Sequence, residues 1–400
     1  MLESSSSDRA GGPAPVRTRW GAWVALVLVA ITLRGPVSSV GPLLGELRSD
    51  LGLQGVAAAL LPALPLLCFG LLAPVAPSLA GRLGLHRAVL AGSAVLAVGI
   101  SVRGAGAVGL FGGTVLVGAG ITVVNVLVPA VLKADFSDRL PLATALATSA
   151  ISLSAGLGAG LAQPLRDLTG GSTTSLAVWL IPAFAATAAW TRLGWRHEHR
   201  TGPRAAGRVL ALLSDRVALS VTAFFGLQSL AFYSVLAWLP SVLGEAGVSS
   251  ADAGVMLAVA ALLGAPASFV VPRLASRGSG QGAWAVLVSV PSLLGLTGLL
   301  IAPAAAPWVW SLLIGAGTGA AFPLALTLVL LRSRDSEQAA RLSAAAQSAG
   351  YCIAAAGPFV VGLLHDAAGS WTPSLLLLVI LLVVQLLTGV AAGRDRLVER

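Results

Sequence analysis

Long apolar stretches separated by short polar breaks occupy most of the chain. Twelve can be delimited, at about 20–45, 55–80, 87–103, 107–132, 141–165, 174–195, 216–243, 252–274, 282–302, 307–331, 342–364 and 372–392. A helix rises about 1.5 Å per residue, so stretches of this length can cross about 30 Å of hydrocarbon. Many contain Gly or Pro, which membrane helices accept because neighbouring groups re-satisfy the backbone. The pattern predicts an all-α membrane protein with twelve transmembrane helices.

The polar breaks orient these helices. With the N-terminus in the cytoplasm, only Arg48, Arg103 and Arg166 of the 25 basic residues fall outside; Arg34 lies within the first stretch, and the other 21 fall inside. Basic loops stay on the cytoplasmic side, so both termini are expected there, in the plasma membrane. The tryptophans Trp20, Trp23, Trp179, Trp190, Trp195, Trp308, Trp310 and Trp371 stand near predicted ends, as an interfacial belt would. The longest break, from about Arg196 to Asp215, divides the chain into six helices plus six. The expected organisation is a disordered cytoplasmic tail over 1–19, a helical bundle over 20–196, a linker over 197–215, a second bundle over 216–393 and a tail over 394–400.

The two halves repeat. Pro77-Ser78-Leu79-Ala80-Gly81-Arg82 closes the second stretch, and Pro272-Arg273-Leu274-Ala275-Ser276-Arg277 closes the eighth. Asp167-x-x-Gly170 after the fifth stretch is matched by Asp366-x-x-Gly369 after the eleventh. Two parallel six-helix repeats about an axis normal to the membrane are a transporter architecture.

Composition narrows the chemistry. The chain has 400 residues, 56% hydrophobic and 10% charged. The net charge of +9 arises from scattered loop residues, without the basic, aromatic-laced runs of a nucleic-acid binder. Cys68 and Cys352 stand alone in apolar stretches, without metal-ligand spacing. No phosphate-binding Gly-Lys-Ser/Thr loop is present, and no nucleophile has a plausible base. Neither an enzyme nor a bound cofactor or metal is expected.

Candidate chemistry centres on Ile31-Thr32-Leu33-Arg34-Gly35-Pro36-Val37-Ser38-Ser39. Arg34 is fourteen residues past Trp20, about 21 Å along the helix, deeper than any other charge on this reading. An arginine there costs about 2.5–3.5 kcal/mol on insertion scales, so it points to a polar partner, a water-filled cavity or an anionic ligand. Pro36 predicts a kink, and Gly35 permits close approach. Ser38, Asn125, Gln228, Tyr233, Gln347 and Tyr351 are the other candidate solute-binding residues. Gln228 and Tyr233, five apart, stand about 140° from each other on a helix, whereas Gln347 and Tyr351 share a face. For any of these side chains the alternative is a bond between helices; for Arg34 that would mean a helix-end carbonyl or a tyrosine hydroxyl. The acidic residues fall at loops or helix ends, so proton coupling, if used, must involve a peripheral carboxylate or the solute itself.

The loop Pro77–Arg87 resembles, in degenerate form, the cytoplasmic loop motif of the major facilitator superfamily, with Gly81 in place of its aspartate. The resemblance implies a conformational-cycle role for Arg82 and Arg87, which are otherwise topology signals. Gly118-Ala119-Gly120 resembles a Gly-rich run that an arginine precedes in proton-coupled members, with Thr114 in the arginine's place. Leu33–Leu44, Asn125–Lys133, Phe224–Pro240, Ala321–Leu326 and Ala344–Tyr351 resemble the cyanate/2-nitroimidazole transporter branch, over about 20–392. The resemblance implies the major facilitator fold, with two pseudo-symmetric six-helix bundles, and a monomeric secondary transporter of a small solute. A polar or anionic solute fits an unpaired Arg34. A proton-coupled drug exporter on the same fold, and a membrane sensor that transports nothing, are the alternatives.

Overall fold

The computed structural model describes residues 16–53, 55–194, 209 and 211–399. The predicted tail up to residue 15 and most of the 197–215 linker lie outside the described residues. The first half comprises α1 (Val16–Thr32), α2 (Gly35–Ser38), α3 (Leu44–Leu51), α4 (Gly55–Leu72), α5 (Val75–Leu83), α6 (Leu85–Val102), α7 (Gly106–Asp135), α8 (Leu140–Thr169), α9 (Ser172–Ala177) and α10 (Leu180–Gly194). The second comprises α11 (Arg216–Glu245), α12 (Ser250–Leu262), α13 (Gly264–Ala275), α14 (Gly282–Ile301), α15 (Pro307–Leu331), α16 (Ser336–Ala368) and α17 (Thr372–Ala392).

Among the described residues, eleven spans are long and apolar enough to cross a membrane. The twelfth is the pair α4–α5, bent by 61° where Ala73–Pro74 interrupts it. The first stretch is also shorter than its pattern suggests. It ends as helix at Ser38, turns, and resumes as the polar α3. The repeat seen in the sequence has a structural counterpart: Gly170 and Gly369 close α8 and α16 at φ 76° and 65°, each amide donating to the carbonyl four residues back.

Positions that meet another helix carry small residues. α6 and α7 pack closely, α11 packs against α16, and α14 against α15. The halves meet along two seams, α4 and α7 against α16, and α8 against α13. Among the described residues, every hydrogen bond between the halves lies at the level of Arg34 or toward the face where α1 starts, here called the basic face. Thr148 Oγ1 donates to the Ser268 carbonyl at 2.6 Å, Ser152 and Ser268 share a bond of 2.7 Å, and Ser348 Oγ donates to the Gly70 carbonyl at 2.7 Å. Lys133 Nζ donates to the carbonyls of Leu330, at 3.0 Å, and Ser333.

Residues 394–399 are docked on this face. The Val398 amide donates to the Arg332 carbonyl at 3.0 Å, and Gln338 Nε2 to the Val398 carbonyl at 3.0 Å. Arg332 is buried, donating to the Ala392 carbonyl at 2.8 Å and to Gln281.

Two expectations need correction. Trp20 and Trp308 are exposed, as belt residues would be, but Trp179, Trp190 and Trp371 are buried. Trp190 Nε1 donates to the Ala25 carbonyl at 3.1 Å, locking α10 onto α1. Arg103 does stand between α6 and α7, where the charge pattern places it, but it is completely enclosed rather than facing water. A one-dimensional pattern places a residue along the membrane normal; it does not tell packing from exposure at a given depth.

Candidate functional site

The site begins at the break between α1 and α2. Pro36 has no amide hydrogen, so the ladder fails there. The hydroxyl of Ser154 on α8 fills the gap: it accepts from the Gly35 amide at 2.7 Å and donates to the Ile31 carbonyl, the partner that amide would have in an unbroken helix. Ser38 Oγ bonds the carbonyls of Arg34, at 3.1 Å, and Ala155, at 2.9 Å. Arg103 Nη1 donates to the Pro36 carbonyl at 2.6 Å, and its Nε to Thr114 Oγ1 at 3.1 Å. The break is therefore supported from α8 and from the end of α6. It also demands glycine: a Cβ on Gly35 would strike the Trp179 ring, and one on Gly158 would lie 2.8 Å from the Gly35 Cα.

The broken helix projects Arg34 across to the second half. Nη1 donates to Tyr233 Oη at 2.7 Å and Nη2 to Tyr351 Oη at 3.2 Å. These are the only two tyrosines in the chain. The guanidinium also lies 5.3 Å from the centre of the Phe322 ring. Phe69 and Phe225 pack on Tyr351, with ring centres 5.2 and 5.3 Å away. Two bonds to a charged donor, at about 1.5–3 kcal/mol each, together with the ring face, offset the insertion cost of the arginine. Arg34 and Tyr233 are partly exposed, whereas Tyr351 is buried.

About a turn nearer the basic face, Asn125 Nδ2 donates to Gln347 Oε1 at 2.7 Å. Gln347 Nε2 donates to Ser343 Oγ at 2.8 Å and to the Asn125 carbonyl at 3.4 Å. The structure thus gathers Arg34, Tyr233 and Tyr351 into one cluster and pairs Asn125 with Gln347 beneath it. It does not bring Ser38 or Gln228 to that cluster. Ser38 is spent on the α1 break, and Gln228 Nε2 bonds the Phe225 carbonyl, at 3.1 Å, and Ser229, within its own helix. Arg82 sits exposed near the end of α5, and Arg87 lies in the first turn of α6.

Ser154, Arg103, Phe69, Phe322 and Lys133 are not among the site residues that the sequence suggests. Only the fold brings Ser154 and Arg103 to residue 35, because both lie far from it in the chain.

The family model of the Major Facilitator Superfamily matches residues 24–358. The chain belongs to the major facilitator superfamily. This superfamily member is a transporter rather than an enzyme. It is 34% identical to the 2-nitroimidazole transporter of Escherichia coli, over 93% of this chain and 95% of that one. It is 31% identical to the cyanate transport protein CynX of the same organism, over 87% and 91% respectively. The proton:xylose symporter XylE superimposes with a TM-score of 0.74 at 12% identity, over 95% of this chain and 98% of that one, which establishes the shared fold. The resemblance read from the quoted stretches and the two-bundle architecture therefore both hold. The arginine absent from α7 has a neighbour in space: Arg103, from the end of α6, reaches Thr114.

Proposed function

We propose that this superfamily member moves a small anionic or strongly dipolar planar solute across the plasma membrane, with both termini cytoplasmic, by alternating access around Arg34. The carrying observation is the donor arithmetic at Arg34. Its nitrogens donate to both phenol oxygens, so neither hydroxyl hydrogen is used in holding Arg34, and that of the partly exposed Tyr233 can meet an incoming acceptor. Among the described residues no carboxylate bonds Arg34, so the cluster keeps a positive charge beside aromatic faces. A solute with two acceptor oxygens or a delocalised negative charge meets a guanidinium and a phenol hydroxyl. The names of the two relatives fit, since cyanate is an anion and a nitro group presents two oxygens.

The hydrogen bonds that join the halves at and below Arg34 support a state closed on the basic face. With cytoplasmic termini, this is a state closed to the cytoplasm. Tyr233 and Tyr351 would hold the solute with Arg34. Asn125 and Gln347 would close the path beneath it.

The test is solute uptake or exchange in reconstituted vesicles with cyanate and 2-nitroimidazole as probes, for the parent and Arg34→Met. Loss of about 1.5–3 kcal/mol of charge-assisted binding predicts a 10- to 150-fold fall in affinity. Parent-like transport of either probe by Arg34→Met would overturn the assignment of the site.

A further inference from the structure

Between the start of α8 and the end of α13 lies a groove of about 560 Å³. Leu142, Phe269, Val270 and Leu274 form its walls, and Arg139, Arg273 and Arg277 stand around it. None of the described residues lining it carries a carboxylate. The Arg273 guanidinium lies 4.3 Å from the centre of the Phe269 ring, which holds this charge against the apolar wall. The groove opens at the basic face, where both helices leave the hydrocarbon. Beneath it the α8–α13 seam is closed by the bonds from Thr148 and Ser152 to Ser268.

We propose that this groove binds a phospholipid with an anionic headgroup, its phosphate among the three arginines and its acyl chains along Phe269, Val270 and Leu142. Charge complementarity selects the headgroup, because a zwitterionic lipid would bring a cation against three guanidinium groups. The apolar walls select a lipid over a soluble anion, which would gain nothing from them. Arg139 belongs to the first half, and Arg273 and Arg277 to the second. A headgroup touching all three joins the halves on the face that is sealed here, so bound lipid favours this state. Placing the lipid in the cytoplasmic leaflet rests on the orientation proposed above; the chemistry of the groove does not.

Native mass spectrometry tests this on full-length protein extracted from nanodiscs of phosphatidylcholine doped with phosphatidylglycerol. The variants are the triple R139Q/R273Q/R277Q and, with every charge kept, Leu142→Trp, which fills the groove. About fivefold per arginine near a membrane surface predicts retention of phosphatidylglycerol falling on the order of 100-fold in the triple variant. Leu142→Trp is expected to lose the lipid as well. Equal retention by the parent and the triple variant would overturn the proposal, as would equal retention of the two lipids by the parent. Displacement of the lipid by millimolar glycerol phosphate would overturn it in favour of a soluble-anion site. None of these readings depends on transport, so failure here leaves the assignment at Arg34 untouched.

Discussion

Lys133 makes the clearest test of how the halves are held together. It is the chain's one lysine and stands in the last turn of α7. Its ammonium reaches the end of α15 in the other half, donating to the carbonyls of Leu330 and Ser333. Terminal carbonyls have no partner within their own helix and carry the negative end of its dipole. Lys133→Met keeps most of the aliphatic stem and deletes the charge. A hydrogen bond involving a charged group contributes about 1.5–3 kcal/mol, and a cation at a partly buried helix end up to about 2 kcal/mol. These describe the same contact and do not add. A net loss of about 2 kcal/mol changes the ratio of sealed to unsealed molecules about 30-fold. A parent about 99% sealed would become about 75–80% sealed. The assay is the distance between spin labels at Ser137 and Arg334, both exposed on the basic face, in a background lacking Cys68 and Cys352. A second, longer distance should appear in Lys133→Met. An unchanged distance distribution would refute the view that this contact holds the face shut.

Removing the Tyr351 hydroxyl by Phe leaves an Arg34 nitrogen without its acceptor and should cost about 1.5–3 kcal/mol in equilibrium unfolding in mixed micelles. Tyr233→Phe should cost less, since water can reach that position; equal losses would contradict the exposure difference. The neutral Asn125–Gln347 pair should show a coupling of about 0.6–1.7 kcal/mol in a double-mutant cycle with Leu, and strict additivity would show that the contact contributes nothing. Ser154→Ala should weaken probe binding although Arg34 is intact, because the Gly35 amide and Ile31 carbonyl lose their bridge; parent-like affinity would show that the break holds without it. Gly158→Val should destabilise by about 1–3 kcal/mol through overpacking, while Gly160→Val, whose Cβ meets nothing within 4 Å, should not.

The spans were legible because hydrocarbon thickness sets a length and a composition that any sequence window can be measured against. The kink at Pro36 was legible for a local reason, a missing donor. A tyrosine hydroxyl was among the partners open to Arg34, and the chain has only two tyrosines. The sequence did not show that both converge on one guanidinium, because that depends on how α11 and α16 are rotated against α1. The same holds for Ser38 and Gln228. Each is polar and within the membrane, yet Ser38 bonds backbone carbonyls at the break and Gln228 bonds within its own helix, which a list of intramembrane polar residues cannot distinguish from a site. Arg103 is the sharpest case. A lone arginine between two apolar stretches reads as a loop residue, and only the freed carbonyl of Pro36, 67 positions away, explains its burial.

The placement of donor and acceptors in opposite halves bears on the transport cycle. Arg34 is carried by the break between α1 and α2, and Tyr233 and Tyr351 by α11 and α16, so the halves cannot rock apart around the site without stretching both bonds. An empty protein that rocks must leave a guanidinium in the membrane with poorer partners, at about 1.5–3 kcal/mol per bond. A bound anion stays with the arginine through the movement and removes that penalty. On the function proposed above, the solute therefore lowers the barrier to its own translocation, and the empty carrier is held back. Single-molecule fluorescence transfer across the basic face should show opening at least tenfold faster with a transported anion than without it, as expected for relief of about 1.4 kcal/mol. In Arg34→Met the two rates should coincide. Acceleration by solute that persists in Arg34→Met would place the coupling elsewhere in the site.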